Sequence, residues 1–206
     1  MTLAERALEL VRIDSVIGHE QALADRIESW ARQHYAPHEI LRVSHSFVLG
    51  DRGDPRPAVA LVGHLDTVPP NVEPNPPRIE GDRLFGLGAS DMKGALAVMM
   101  ALAETLPRAQ LPVNLLLVFY EREEGPFLES GLGPLFDAAP ELKRLAFGIA
   151  MEPTCTRSCT SRGRRRTPRG RGRGRTPSTP RERCWSTSSG ARARRWSSRA
   201  TPSTRW

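Results

Sequence analysis

Six side chains in this sequence have types and positions suited to hydrolytic chemistry. His64 and Asp66 stand in Gly63-His64-Leu65-Asp66-Thr67-Val68-Pro69, directly after an apolar run over 58–63. Asp91 precedes a stretch over 92–106 rich in Ala, Met and Leu. Glu123 and Glu124 follow the apolar run 113–120, and Glu152 follows the run 145–151. Carboxylates gathered in one place repel and raise one another's pKa. A divalent cation removes that penalty, and a mixed nitrogen and oxygen donor set suits Zn2+. A carboxylate shared between two such ions would support hydrolysis by a metal-activated water.

Each group also has a plainer reading. His64 alone reads as a loop histidine, and Glu123-Glu124 alone as a solvated pair. Asp91 reads equally as an N-cap of the helix that follows it, a role compatible with metal binding. Position after buried strands is what sets these residues apart. The remaining histidines, His19, His34, His38 and His45, read as surface or helix-face residues, and Glu121 with Arg122 as an exposed pair.

The six converge only if the apolar runs are neighbouring strands. Runs of this kind, apolar on both faces, suit a parallel sheet covered by helices. Thr2-Leu3-Ala4-Glu5 has the form of a capping box opening a first helix, with Leu8, Leu10, Val11 and Ile13 near helical spacing. A second amphipathic helix is predicted over 19–34 with Leu23, Ile27 and Trp30 on one face. A strand is predicted over 39–49 and a helix over 92–106. The resulting β–α–β order predicts an α/β fold: a mostly parallel sheet flanked by helices. In such sheets ligands collect outside the carboxyl ends of the strands, where His64, Asp66, Glu123, Glu124 and Glu152 fall. Five prolines over 69–77 predict an irregular surface loop leading to 83–88.

The chain of 206 residues has two unlike parts. Residues 1–154 carry 14 Lys+Arg and 22 Asp+Glu, a formal −8. Residues 155–206 carry 16 Arg, no Lys and one Glu, a formal +15, so the whole chain's +7 belongs to its end. That end contains no Leu, Val, Ile, Met, Phe or Tyr, and a segment without them buries too little surface to offset its ordering entropy. The expected division is a metal-binding domain over 1–154 and a disordered Arg/Pro/Ser/Gly-rich tail over 155–206. The opening residues do not read as a signal peptide, and no stretch approaches the ~18 apolar residues of a membrane span. All three cysteines, Cys155, Cys159 and Cys184, fall in the tail, which argues against a disulfide framework. A cytoplasmic protein is expected.

Four segments in order resemble the motifs of the M20 metallopeptidase family: 63–69, 88–94, Glu123-Glu124 and Met151-Glu152-Pro153-Thr154. Within the family, Ser90-Asp91-Met92-Lys93, Phe119-Tyr120-Glu121-Arg122-Glu123-Glu124 and Glu152-Pro153-Thr154 are most similar to the succinyl-diaminopimelate desuccinylases. The resemblance implies a catalytic domain of zinc-peptidase type holding two Zn2+, with Co2+ as a substitute. It implies that His64 and Glu152 bind one zinc, Glu124 the other, and Asp91 bridges both. Asp66 would orient His64, and Glu123 would serve as general base and acid. The implied reaction is hydrolysis of the small molecule N-succinyl-L,L-diaminopimelate to succinate and diaminopimelate, in lysine biosynthesis. Another deacetylase or aminopeptidase of the family is the nearest alternative.

The family pattern continues with a lid and dimerisation domain and a late histidine for the second zinc. This sequence has no histidine after His64, so the expectation is a truncated enzyme, active or inactive, with the family homodimer lost. The GC-rich codon character of the tail suggests a frameshift just after Thr154. A reading from another class is nucleic-acid binding through Arg164-Arg165-Arg166 and the Arg-Gly repeat over 169–175, with Trp185, Trp196 and Trp206 stacking on bases. No specific nucleic acid is expected.

Overall fold

The computed structural model describes residues 1–71 and 76–153. The predicted disorder of the tail and the tail's proposed nucleic-acid contacts lie outside the described residues. Thr2 caps helix α1 (Leu3–Arg12): its hydroxyl accepts from the Glu5 amide, and the Glu5 carboxylate accepts from the Thr2 amide. Helix α2 (Gln21–His34) buries Leu23, Ile27 and Trp30 as its spacing predicts. The single strand expected over 39–49 is instead a hairpin, β1 (Ile40–Val43) and β2 (Ser46–Leu49). Ser44 occupies the left-handed region at φ 55°, which closes the turn.

Strand β3 (Ala58–His64) is followed by a small antiparallel pair, β4 (Arg78–Glu80) and β5 (Arg83–Phe85), for which the sequence offers little alternation. Helix α3 (Gly94–Thr105), strand β6 (Asn114–Tyr120), helix α4 (Leu132–Ala138) and strand β7 (Phe147–Ala150) complete the order. The five-stranded sheet has the order β1-β2-β6-β3-β7. Its β6, β3 and β7 strands are parallel, while β1 and β2 run antiparallel at one side. The result is a mixed, largely parallel sheet with helices on both faces.

Strand β6 shows why the site can be built here. It lies in the middle of the sheet, and all seven of its residues are buried. Alternate side chains point to opposite faces of a strand. Leu115, Leu117 and Phe119 join α1, α2 and α3 in one core, while Leu116, Val118 and Tyr120 join α4 in the other. Strand β7 departs from expectation. Expected to be buried on both faces, it is the edge strand among the described residues, with Phe147 62% and Ile149 40% exposed. Apolar composition alone does not distinguish an edge from a centre.

Candidate metal centre

Parallel pairing sets the register of the site. His64, the last residue of β3, stands opposite Tyr120, the last residue of β6, and the Leu65 amide donates to the Tyr120 carbonyl. Val62 stands opposite Ala150 at the end of β7, and the Met151 amide donates to the Val62 carbonyl. The loops carrying Asp66, Glu123, Glu124 and Glu152 therefore leave the same edge of the sheet.

Asp91 arrives from another direction. The helix expected from Met92 begins at Gly94, and 89–93 form an irregular turn with non-helical backbone at Asp91 and Met92. Gly88 opens that turn at φ 74°, where a Cβ would fall 2.5 Å from the Thr67 methyl. Asp91 does not cap the helix. Its Oδ1 lies 3.0 Å from His64 Nε2. Gly63 matters for a related reason: a Cβ there would lie 2.7 Å from Met92 Cε and 2.8 Å from Leu96 Cδ2, so its absence lets β3 lie close under the turn.

His64 is 1% exposed. Its Nδ1 faces Asp66, 2.9 Å from the backbone carbonyl and 3.5 Å from carboxylate Oδ1. Its Nε2 faces outward to Asp91 and, at 3.5 Å, to Glu152 Oε1. Asp66 is fully buried, and its two oxygens accept from the amides of Glu123 (3.0 Å) and Glu124 (2.9 Å). One buried carboxylate thus ties the imidazole to the backbone that carries both glutamates. Donor atoms of His64, Asp91 and Glu152 lie within 4.8 Å of one another, and so do those of His64, Glu123 and Glu124.

The carboxylates act on one another and on the imidazole. Burial works against a proton on His64, but Asp66, Asp91 and Glu152 outweigh it and raise its pKa to about 9. Burial, then repulsion from Asp91, holds the Glu124 carboxyl above its usual range. Glu152 is raised by burial first and by Asp91 and Glu123 after it, with His64 opposing. Burial also acts against the charge of Asp66, yet His64 and the two amides keep its pKa low. A dication fits this donor set. Ligand atoms about 2.1 Å from one tetrahedral ion stand roughly 3.4 Å apart, close to the 3.0 Å and 3.5 Å measured from His64 Nε2.

A model of peptidase family M20/M25/M40 matches residues 60–163, half of the chain. The chain belongs to this family. A Mycobacterium tuberculosis protein named provisionally as a succinyl-diaminopimelate desuccinylase is 37% identical over 151 residues, 73% of this chain and 42% of its own length. A [LysW]-lysine hydrolase of Deinococcus radiodurans is 35% identical over 109 residues, 50% of this chain and 29% of its own. The M20 family metallo-carboxypeptidase Sso-CP2 of Sulfolobus solfataricus has the same fold over 73% of this chain and 37% of its own, with a TM-score of 0.60 at 17% identity. The chain spans about two-fifths of the length of the first curated relatives it matches. The relatives at 37% and 35% identity are themselves named as a desuccinylase and a hydrolase. The family match extends past Thr154, where the composition changes.

Several residues that brace this M20 site carried no signal of it in the sequence. Ser15 donates its hydroxyl to the Leu65 carbonyl (2.8 Å), and its own carbonyl accepts from the Thr67 amide (2.9 Å). Val16 bridges Thr67, so a short extended segment after α1 holds 65–67 in place. Lys93 is buried and donates to the Ile13 carbonyl at 2.6 Å, linking that segment to the Asp91 turn. Burial lowers the Lys93 pKa to about 8, with Asp14 opposing. Glu121, expected to form an exposed pair with Arg122, is instead 9% exposed, and Arg122 pairs with Glu129. Among the described residues no helix is long and apolar enough to cross a membrane.

Proposed function

We propose that this domain binds a pair of divalent cations, zinc in the first instance, and serves amide hydrolysis. The observation that carries the reading is the convergence of His64 Nε2 with Asp91 at 3.0 Å and Glu152 at 3.5 Å at the end of a buried strand. His64, Asp91 and Glu152 would hold one ion, and Asp91 with Glu124 the other. Bound there, the metal pair supplies Lewis acidity toward the amide carbonyl and acidifies water. Asp66 keeps the imidazole turned so that Nε2 faces the metal. Glu123 takes a proton from the attacking water and returns it to the leaving amine. Its backbone is fixed by Asp66, while its side chain is exposed to incoming substrate.

For the substrate we propose N-succinyl-L,L-diaminopimelate, cleaved in the cytoplasm to succinate and diaminopimelate. The support is the name borne by the 37% identical relative and the similarity of the segments around Asp91, Glu123 and Glu152 to that branch. The [LysW]-lysine hydrolase at 35% identity supports a second reading, release of an amine from another acylated amino acid. The test is zinc content and amide cleavage by the purified full chain, with E123Q beside it. We expect zinc in both and cleavage of the succinylated substrate by the wild type alone. A chain that takes up no zinc overturns the metal reading. A chain that takes up zinc but prefers another acyl amine overturns only the substrate.

A further inference from the structure

The segment 13–17, between α1 and α2, carries none of the proposed ligands, yet it touches three of the stretches that do. The first contact is with the loop after His64. The Ile17 amide donates to the Thr67 carbonyl (3.0 Å), the Thr67 amide to the Ser15 carbonyl (2.9 Å), and the Ser15 hydroxyl to the Leu65 carbonyl (2.8 Å). These bonds fix the backbone on both sides of Asp66. The second contact is with the Asp91 turn. Lys93 is 2% exposed, and its ammonium donates to the Ile13 carbonyl at 2.6 Å. The Lys93 amide closes the same turn onto the Gly88 carbonyl at 2.8 Å. The third contact is with the loop of Glu123 and Glu124. A Cβ on Gly125 would lie 2.5 Å from Ile17 Cδ1, so that loop packs directly against the segment.

Lys93 suits its place for a physical reason. Ile13 is the C-cap of α1. The last carbonyls of a helix lack partners within it and lie at the negative end of its dipole. An ammonium there satisfies one of them through a charge-assisted bond, which is stronger than a neutral one. A buried ammonium is costly without such a partner, so the bond holds the turn, two residues from Asp91, in one position. The 3.0 Å contact of His64 with Asp91 joins two stretches of chain, and both are tied to the same segment. We propose that segment 13–17 is a strap that sets the spacing of the metal ligands, with Lys93 and Ser15 as positioning residues. Lys93 places Asp91, Ser15 places the loop of His64 and Asp66, and neither touches the metal. The inference rests on the reading that these loops hold zinc.

The test is zinc affinity of the full chain by chelator competition, with the visible spectrum of the Co2+-loaded chain reporting ligand geometry. K93M keeps an apolar stem and removes the donor, and S15A removes one hydroxyl at the other contact. T2A is the comparison, because it removes the cap of α1 and weakens the same helix without touching 13–17. K93M and S15A are expected to bind zinc at least ~10-fold more weakly, the lower end for losing a group that orients a ligand, and to shift the Co2+ spectrum. T2A is expected to lower the melting temperature while zinc affinity and spectrum stay as in the wild type. Unchanged affinity and spectrum in K93M and S15A overturn the strap. An equal loss in T2A overturns it too, since the effect would then be one of general stability. If K93M fails to fold, S15A decides alone. A wild-type chain that takes up no zinc overturns the metal reading as well, whereas zinc uptake unmoved by the variants overturns the strap only.

Discussion

Near the amino ends of β3 and β6, Glu104, Asp54 and Glu39 each have a basic partner. Glu104 accepts from Arg6 (2.7 and 2.8 Å) and from the Trp30 indole (2.7 Å), with His34 at 3.4 Å. Asp54 accepts from Arg56 Nε at 3.0 Å. Arg108 lies 3.6 Å from Glu39 and stacks over the Tyr35 ring. At the carboxyl ends of the same strands, Asp66, Asp91, Glu123, Glu124 and Glu152 share a single imidazole. The nearby cations are spent elsewhere, Lys93 on a carbonyl and Arg122 on Glu129. One end is neutralised by the protein itself, and the other leaves a negative charge that a cation must balance. The first arrangement stabilises the fold, and the second is the one we propose receives the metal.

The largest test of this contrast is H64A, which removes the one nitrogen donor of the proposed ligand set among the described residues. Zinc affinity measured by chelator competition should fall more than ~100-fold, beyond the roughly 10–100-fold typical of losing an outer partner. R6A, at the neutralised end, should leave zinc uptake unchanged. Equal zinc binding by H64A would erase the distinction between the two ends. Next in size is the metal's effect on stability. At free zinc ~100 times Kd, linkage adds about 2.7 kcal/mol, so the melting temperature should rise over that of chelator-treated protein and stay unmoved in H64A. D66N should weaken zinc binding ~10–100-fold, since Asp66 orients His64 and anchors the amides of Glu123 and Glu124. If D66N matched the wild type, the buried carboxylate would be merely structural.

The smallest effect belongs to the neutralised end. Burial acts against the charge of Glu104, but Arg6 and Trp30 outweigh it and hold its pKa below the ordinary 4.5. A depressed carboxylate contributes stability that is complete above that ordinary value and is lost as pH falls through the folded one. E104Q should therefore cost under ~1 kcal/mol at pH 7 and flatten the loss of stability below pH 4.5 in urea unfolding. A steeper acid limb in E104Q would reverse the assignment.

Much of this was legible locally. The capping box at Thr2, the α2 stripe of Leu23, Ile27 and Trp30, and the buried runs of β3 and β6 declare themselves by spacing. The hairpin at Ser44 was not legible, because alternation continues through a two-residue turn and Ser is no strong signal for a left-handed conformation. The exposure of β7 was not legible either, since an edge strand and a central one share the same apolar composition. Glu121 looks solvated in sequence, and its burial follows from the 131 loop, where the Gly131 amide donates to the Glu121 carbonyl.

What the amino-acid order determined by itself is which side chains end the apolar strands, because each run is apolar on both faces. Which of those ends meet was decided only in three dimensions. Parallel register sets His64 opposite Tyr120 and Val62 opposite Ala150, and the turn opened by Gly88 brings Asp91 to within 3.0 Å of the imidazole. Such contacts join residues tens of positions apart, and they depend on strand pairing and close packing that no local pattern specifies.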